Sequence, residues 1–167
     1  MADTVSLPLG FDVPAGWTPV DPAKAGAPGA VFVAVHAGGH DEFIPNITLS
    51  VRQRPDAATI AAIADEAIER LGRSMAGLDV VSRQEVGDAG APGLTQVLRL
   101  RTGEGLDLVQ TQVHLTVPAQ DPAGRIVLEI ACTATPGRAR ELAEDFQRFV
   151  GTVRLRRDVP TEEGETP

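Results

Sequence analysis

One stretch restricts this chain more than any other. Between Phe43 and Gly77 the hydrophobic period changes from two to about 3.6, and the change falls at a single Pro55-Asp56 pair. Before that pair, Ile47, Leu49 and Val51 alternate with Thr48, Ser50 and Arg52. Successive side chains of a strand point to opposite faces, so Ile44 to Gln53 reads as a strand buried on one side. Pro45 has no N–H to give to a ladder, which places it at the strand entrance or on an edge. Asn46 can bond its own backbone and shape that entrance. After the pair, Ile60, Ile63, Ala64, Ala67, Ile68, Leu71 and Met75 fall on one helical stripe. Asp56 is the expected N-cap, because its carboxylate can accept from the free N–H groups of the first turn. Glu66–Arg70 and Glu69–Arg73 stand at i,i+4 spacing on the wet side. Gly77 is the expected left-handed residue after the helix.

The rest of the chain supplies more of both elements. Val5 to Val13 alternates loosely around Pro8, and in VPAGWTPVDP Pro14 and Gly16 make a turn before Trp17, the only tryptophan. Residues 21–30 form a Pro/Gly/Ala loop. Val31 to His36 is a strand that should pair as a hairpin with Ile44–Gln53 across the turn at Ala37–His40. After the helix, Val80–Val86, Leu94–Arg101, Leu106–Val117 and Ile126–Thr133 read as strands. They are separated by GDAGAPG, a Gly-Glu-Gly turn and PAQDPAG, and such short breaks specify an antiparallel meander. Thr135-Pro136 announces a second helix, a capping hydroxyl before proline at the first position. Its stripe is Ala139, Leu142, Ala143, Phe146, Phe149 and Val150, with Gly151 closing it and Thr152–Leu155 returning as a brief strand. Helices separated by runs of strands predict an α+β fold: a mostly antiparallel sheet of about six to seven strands flanked by two helices.

With 167 residues the chain has the length of one domain, read here as 1–157 followed by an acidic disordered tail at 158–167. The single cysteine, Cys132, rules out an intramolecular disulfide and any multi-cysteine metal site, and it points to a reducing compartment. The N-terminal MADTVSLPLG has no basic region, long apolar run or lipobox cysteine, so no signal peptide is expected. No stretch of about 18 apolar residues exists, so no transmembrane segment is expected. The net charge of −8 argues against nucleic acid as a partner. Together these features lead to an expectation of a cytoplasmic protein.

Chemistry-bearing residues are sparse. His36, His40, Asp41 and Glu42 form the only metal-like cluster, but Gly38 and Gly39 break any helix that would present them, and a polar hairpin loop, where Gly, His and Asp are ordinary, is the favoured reading. His114 lies mid-strand among glutamines with no nucleophile near it, and reads as a half-exposed sheet histidine. Cys132 alternates in phase with Ile126, Leu128 and Ile130 and reads as a small core residue. No nucleophile elbow, phosphate-cradling loop or dinucleotide glycine pattern is present, so no catalytic residue, metal or cofactor is expected. Two features suit recognition. Thr48, Ser50, Arg52, Gln110, Gln112 and His114 compose the polar sides of two strands. Trp17 reads either as a core anchor at the sheet margin or as an aromatic hot spot.

FDVPAGW (Phe11–Trp17), FIPNITLSV (Phe43–Val51) and the helix after it resemble the LpqN/LpqT family of actinobacterial proteins, as do Val109–Val113 and IVLEIACTATPGRARELAEDF. Members of that family begin with a Pro-x-Gly-Trp turn and carry a Pro-Asn pair entering a strand. The family is similar to the wider PsbP/DcrB-like group. The resemblance implies a PsbP-like α/β/α sandwich and mostly non-catalytic roles: protein binding, assembly of photosystem components, binding of a small GTPase, and chaperoning of secreted effectors. It brings no catalytic motif. This chain lacks the lipobox cysteine of the LpqN lipoproteins, so a cytoplasmic adaptor is expected rather than an anchored one. The leading expectation is a non-catalytic protein-binding module, an adaptor or chaperone in a secretion or envelope setting. It would meet its protein partner through Trp17 or the polar sheet face. The alternatives are a small-molecule carrier with a pocket between sheet and helix, and a metal-dependent hydrolase using the His36/His40 loop.

Overall fold

The computed structural model describes residues 9–36, 43–117 and 125–155. Its centre is a seven-stranded antiparallel sheet in the order β2-β3-β4-β8-β7-β6-β5. Two meanders make it. Trp17–Val20 (β2), Phe32–His36 (β3) and Asn46–Arg54 (β4) form one. Gly77–Asp88 (β5), Ala91–Arg101 (β6), Asp107–Val117 (β7) and Arg125–Ala134 (β8) form the other. They are joined along the whole of β4, from Asn46 opposite Thr133 to Arg54 opposite Arg125. A separate two-stranded ribbon pairs Leu9–Gly10 (β1) with Arg154–Leu155 (β9).

Two helices pack against the sheet, one on each face. The strand alternation decides which residues meet which helix. Ile47 and Leu49 of β4, Val113 of β7, and Leu128, Ile130 and Cys132 of β8 lie beneath Leu142, Phe146 and Phe149 of the second helix, Pro136–Thr152 (α2). On the opposite face, Leu94 and Val127 meet Ile60, Ile63 and Ala64 of the first helix, Ile60–Gly72 (α1). Ile68, Leu71 and Met75 continue that contact over Leu98, Leu100 and Leu108. The expected α+β sandwich of about seven strands and two helices is what the chain forms.

Several local expectations are corrected. Asp56 is not the cap of α1. Thr59 is, with extended backbone angles and a hydroxyl accepting from the Ala62 N–H at 3.0 Å. Asp56 is held instead by the Arg54 guanidinium, at 3.0 and 2.8 Å. Glu66 bonds Arg54 at 2.8 Å and Arg70 bonds Glu129 at 3.0 Å, rather than Glu66 and Arg70 bonding each other. Gly77 opens β5 instead of closing the helix, and β5 runs well past the expected Val80–Val86. As an edge strand it buries little, so its sequence lacks the alternation that would have revealed its ends. The turn at Pro14 and Gly16 is present, with the Trp17 N–H donating to the Pro14 carbonyl at 3.2 Å and Gly16 at φ +92°, and the Trp17 segment after it is a further strand. Pro19 is tolerated there because β2 is the other edge of the sheet. Most of GDAGAPG belongs to strands, and only Ala89-Gly90 turns, with Asp88 accepting from the Gly90 and Ala91 N–H groups. Gly87 has φ +79°, and a Cβ there would sit 2.4 Å from the Ala91 carbonyl oxygen, so the hairpin requires glycine. Gly151 lies within α2, which ends at Thr152. Ala143 is exposed rather than in the buried stripe of α2. The expected acidic tail at 158–167 lies outside the described residues.

Candidate functional site

The polar sheet face expected to meet a partner is largely a buried network. Gln112 and His114 are 2% and 0% exposed beneath the α1 side, so His114 is not the half-exposed residue its alternation suggested. Cross-strand register puts Gln96 beside Gln112, Gln110 beside Thr133, and His114 between Leu94 and Glu129. The side chains then bond in one direction. Arg83 Nε, a donor only, meets Gln96 Oε1 at 3.0 Å. Gln96 Nε2 therefore donates to Gln112 Oε1 at 2.8 Å and to the Ala64 carbonyl at 3.3 Å. Gln112 Nε2 donates to Gln110 Oε1 at 2.6 Å, and Gln110 Nε2 to Thr133 Oγ1 at 2.8 Å. The relay thus runs from a surface guanidinium to a buried hydroxyl. Gln112 Oε1 also takes the His114 ring, whose Nε2 lies 3.0 Å away and must donate. This leaves His114 Nδ1 as a buried atom with no partner. Burial pushes the His114 pKa below its ordinary value. Glu129 opposes the shift, while Arg70, Arg83 and Arg52 add to it.

The other expected contact residues are more accessible. Thr48 and Ser50 are half-buried on β4. Arg52 is exposed and shares Glu129 with Arg70, at 3.3 and 3.0 Å. Gln110 is half-buried and held in the relay. Trp17 is 5% exposed, so its ring is part of the core rather than a surface anchor. Its Nε1 donates to Asp145 Oδ2 of α2 at 3.0 Å, and its ring meets His36 edge-on with centroids 5.1 Å apart. His36 Nδ1 accepts from Arg138 Nη2 at 2.8 Å. This interaction ties His36 to α2, and the expected partners His40, Asp41 and Glu42 lie outside the described residues. No cluster of three metal-ligating side chains occurs among the described residues.

Sequence reasoning missed a recess beside α2. α2 covers β7 and β8 but stops short of the sheet margin, so the same face of β5 and β6 is open. A groove of about 830 Å³ runs between that bare face and the flank of α2. Val81, Val97 and Val109 form its apolar floor, and Ala139 and Ala143 form the helical wall. Asp79 and Arg99 stand opposite each other in the β5–β6 register. Arg101 bonds Asp107 at 2.9 Å. Arg140 comes from α2. The sequence did carry a signal for this surface. Val97, Arg99 and Arg101 alternate with Gln96, Leu98 and Leu100, giving β6 a second face of mixed valine and arginine.

No protein-family model matches the sequence, and no curated protein matches it significantly. Solved structures do match. LpqN of Mycobacterium tuberculosis, involved in cell envelope biogenesis, is 14% identical, with a TM-score of 0.67 over 88% of this chain and 82% of that one. The cyanobacterial PsbP of Synechocystis is 14% identical, with a TM-score of 0.60 over 89% and 87%. The fold is that of PsbP and Mog1. Mog1p of Saccharomyces cerevisiae, a Ran-binding protein, is 12% identical, with a TM-score of 0.58 over 89% and 90%. The PsbP/Mog1-like likeness spreads across these proteins and does not single out the LpqN family. At such identities it establishes the fold alone. No helix among the described residues is long and apolar enough to cross a membrane.

Proposed function

We propose that this chain is a non-catalytic protein-binding module, an adaptor or chaperone for a protein partner in a cytoplasmic setting. The observation that carries the reading is the β5–β6 margin of the sheet that α2 leaves bare. There a groove of about 830 Å³ adjoins an edge strand whose Val80 and Val81 are 47% and 54% exposed. A sheet margin with free backbone groups and exposed apolar side chains is a site where another chain can add its own surface. The Mog1-like architecture supports this, since Mog1p is a Ran-binding protein built on the same fold. The buried glutamine relay supports it from the other side. Its bonds are spent on the core, so it offers no reacting group to solvent.

The test is recovery of a stoichiometric partner from native cells on the tagged protein, repeated with Val81→Glu and Val97→Glu. The reading expects a partner with the unaltered chain and its loss in both variants, each still folded by circular dichroism. Recovery of nothing, or equal recovery on all three, would remove it. The same groove supports a second reading, a small-molecule carrier, because its volume lies in the range of ligand pockets. A copurifying compound displaced by the same substitutions would favour that reading.

A further inference from the structure

The arginines among the described residues fall into two groups. Most are neutralised in place. Arg54 bonds Asp56 and Glu66, Arg52 and Arg70 share Glu129, Arg83 meets Asp65, Arg101 meets Asp107, and Arg148 meets Glu144. Arg73, Arg99 and Arg140 have no ion-pair or hydrogen-bond partner among the described residues; Arg73 is exposed at the end of α1, whereas Arg99 and Arg140 both line the groove beside α2. One rises from the sheet and the other from the helix, so they occupy different walls. In a chain of net charge −8, two unneutralised arginines that face one recess from different walls invite an anion. The groove as a whole carries three arginines against two aspartates, and Asp107 is already spent on Arg101. Its remaining lining is mainly valine, leucine, alanine and proline.

We infer that this groove receives an acidic, partly apolar segment of the protein partner, with Arg99 and Arg140 taking its carboxylates and the valine floor taking its apolar side chains. The inference rests on the protein-binding reading and names the chemistry of the partner. Guanidinium groups suit this task because their planar fork can bond a carboxylate through two N–H donors. The net charge of −8 disfavours non-specific contact with an acidic segment, so charge also directs the segment to the groove. Asp79 opposes the anion from the β5 side and limits how tightly it is held.

Fluorescence anisotropy with a labelled peptide alternating glutamate, leucine and serine tests this directly, beside the same peptide with lysine for glutamate. The glutamate peptide is expected to bind, to weaken roughly tenfold or more in Arg99→Glu/Arg140→Glu, and to tighten in Asp79→Asn. Both variants change exposed side chains with no mapped partner, so folding should be unaffected, and circular dichroism checks it. Binding of both peptides alike, or no response to either variant, overturns the inference. So does decanoate displacing the peptide while binding more tightly than it, which would assign the groove to a small amphiphile. Recovery of the cellular partner separates this inference from the function it rests on. A partner retained by Arg99→Glu/Arg140→Glu defeats the acidic-segment inference and leaves the adaptor reading standing. Absence of any partner with the unaltered chain defeats the adaptor reading itself.

Discussion

At the scale of single residues, the titratable groups of the core give the clearest predictions. His114 is fully buried, with its pKa pushed below the ordinary 6.5 chiefly by desolvation. The unfolded chain takes a proton on this ring near pH 6.5, while the folded chain does not until lower pH. Below pH 6.5 the unfolded state therefore binds more protons, and stability falls as pH drops toward the folded value. Urea unfolding in steps from neutral pH to about 5 should show this slope, and His114→Gln should flatten it. Identical slopes in the two proteins would assign the acid sensitivity elsewhere. Asp56 and Glu66 are held below their ordinary values by hydrogen bonds from Arg54, so any stability they contribute starts to be lost as pH falls into the ordinary carboxylate range and is gone only below their lowered folded values. Burial pushes the Cys132 thiol up to about 12. Near pH 8 the folded thiol stays protonated, so iodoacetamide should label it only through opening, at a rate that rises in step with global unfolding. Fast labelling of the native protein would contradict that. The core position of Cys132 was legible from its alternation with Leu128 and Ile130, whereas the burial of His114 and Gln112 was not. A strand's polar side reads as solvent-facing unless one knows that a helix lies over it and that neighbouring strands supply the matching amides.

At the scale of elements, the strand-to-helix unit was readable in kind but not in its join. The stripe from Ile60 onward fixed the helix, yet Asp56 and Thr59 are both good caps, and only the path of the chain chooses between them. Thr59 holds the Ala62 N–H, so Thr59→Ala should cost about 1 kcal/mol in urea unfolding. Asp56→Ala should cost less, because its bonds to Arg54 are exposed to solvent. The reverse order would restore Asp56 as the cap. The short β2 strand went unread because proline and glycine surround it. Its strand character comes from pairing with β3, from Trp17 opposite His36 to Val20 opposite Val33, and from Trp17 entering the core. Tertiary packing, rather than local preference, makes this element. The groove was missed for a related reason. Nothing in the sequence tells how far α2 reaches across the sheet, so the valine–arginine face of β6 could equally have been covered.

At the scale of the molecule, the strand order sets a gradient of protection. β8 lies between β4 and β7 in the interior of the sheet, while β5 has a neighbour on one side only. Amide hydrogen exchange should be slowest in β8 and β7 and fastest at the outward-pointing N–H groups of β5. Uniform protection across β5 would mean that its edge is already covered, as by a second chain. The α+β class and the meander were legible because turns and alternation are local, but the union of β4 with β8 was not, since it joins segments far apart in sequence. That union has a consequence for how the protein is made. The ribosome finishes β2, β3 and β4 early, yet Ile47 and Leu49 stay without their neighbour Ile130 until β8 has emerged. Throughout synthesis of the first helix and the next three strands, the nascent chain carries an open apolar flank. A stop codon anywhere before Ala134 therefore yields a product whose sheet cannot close, and such fragments should be cleared or aggregate instead of surviving as smaller folded forms.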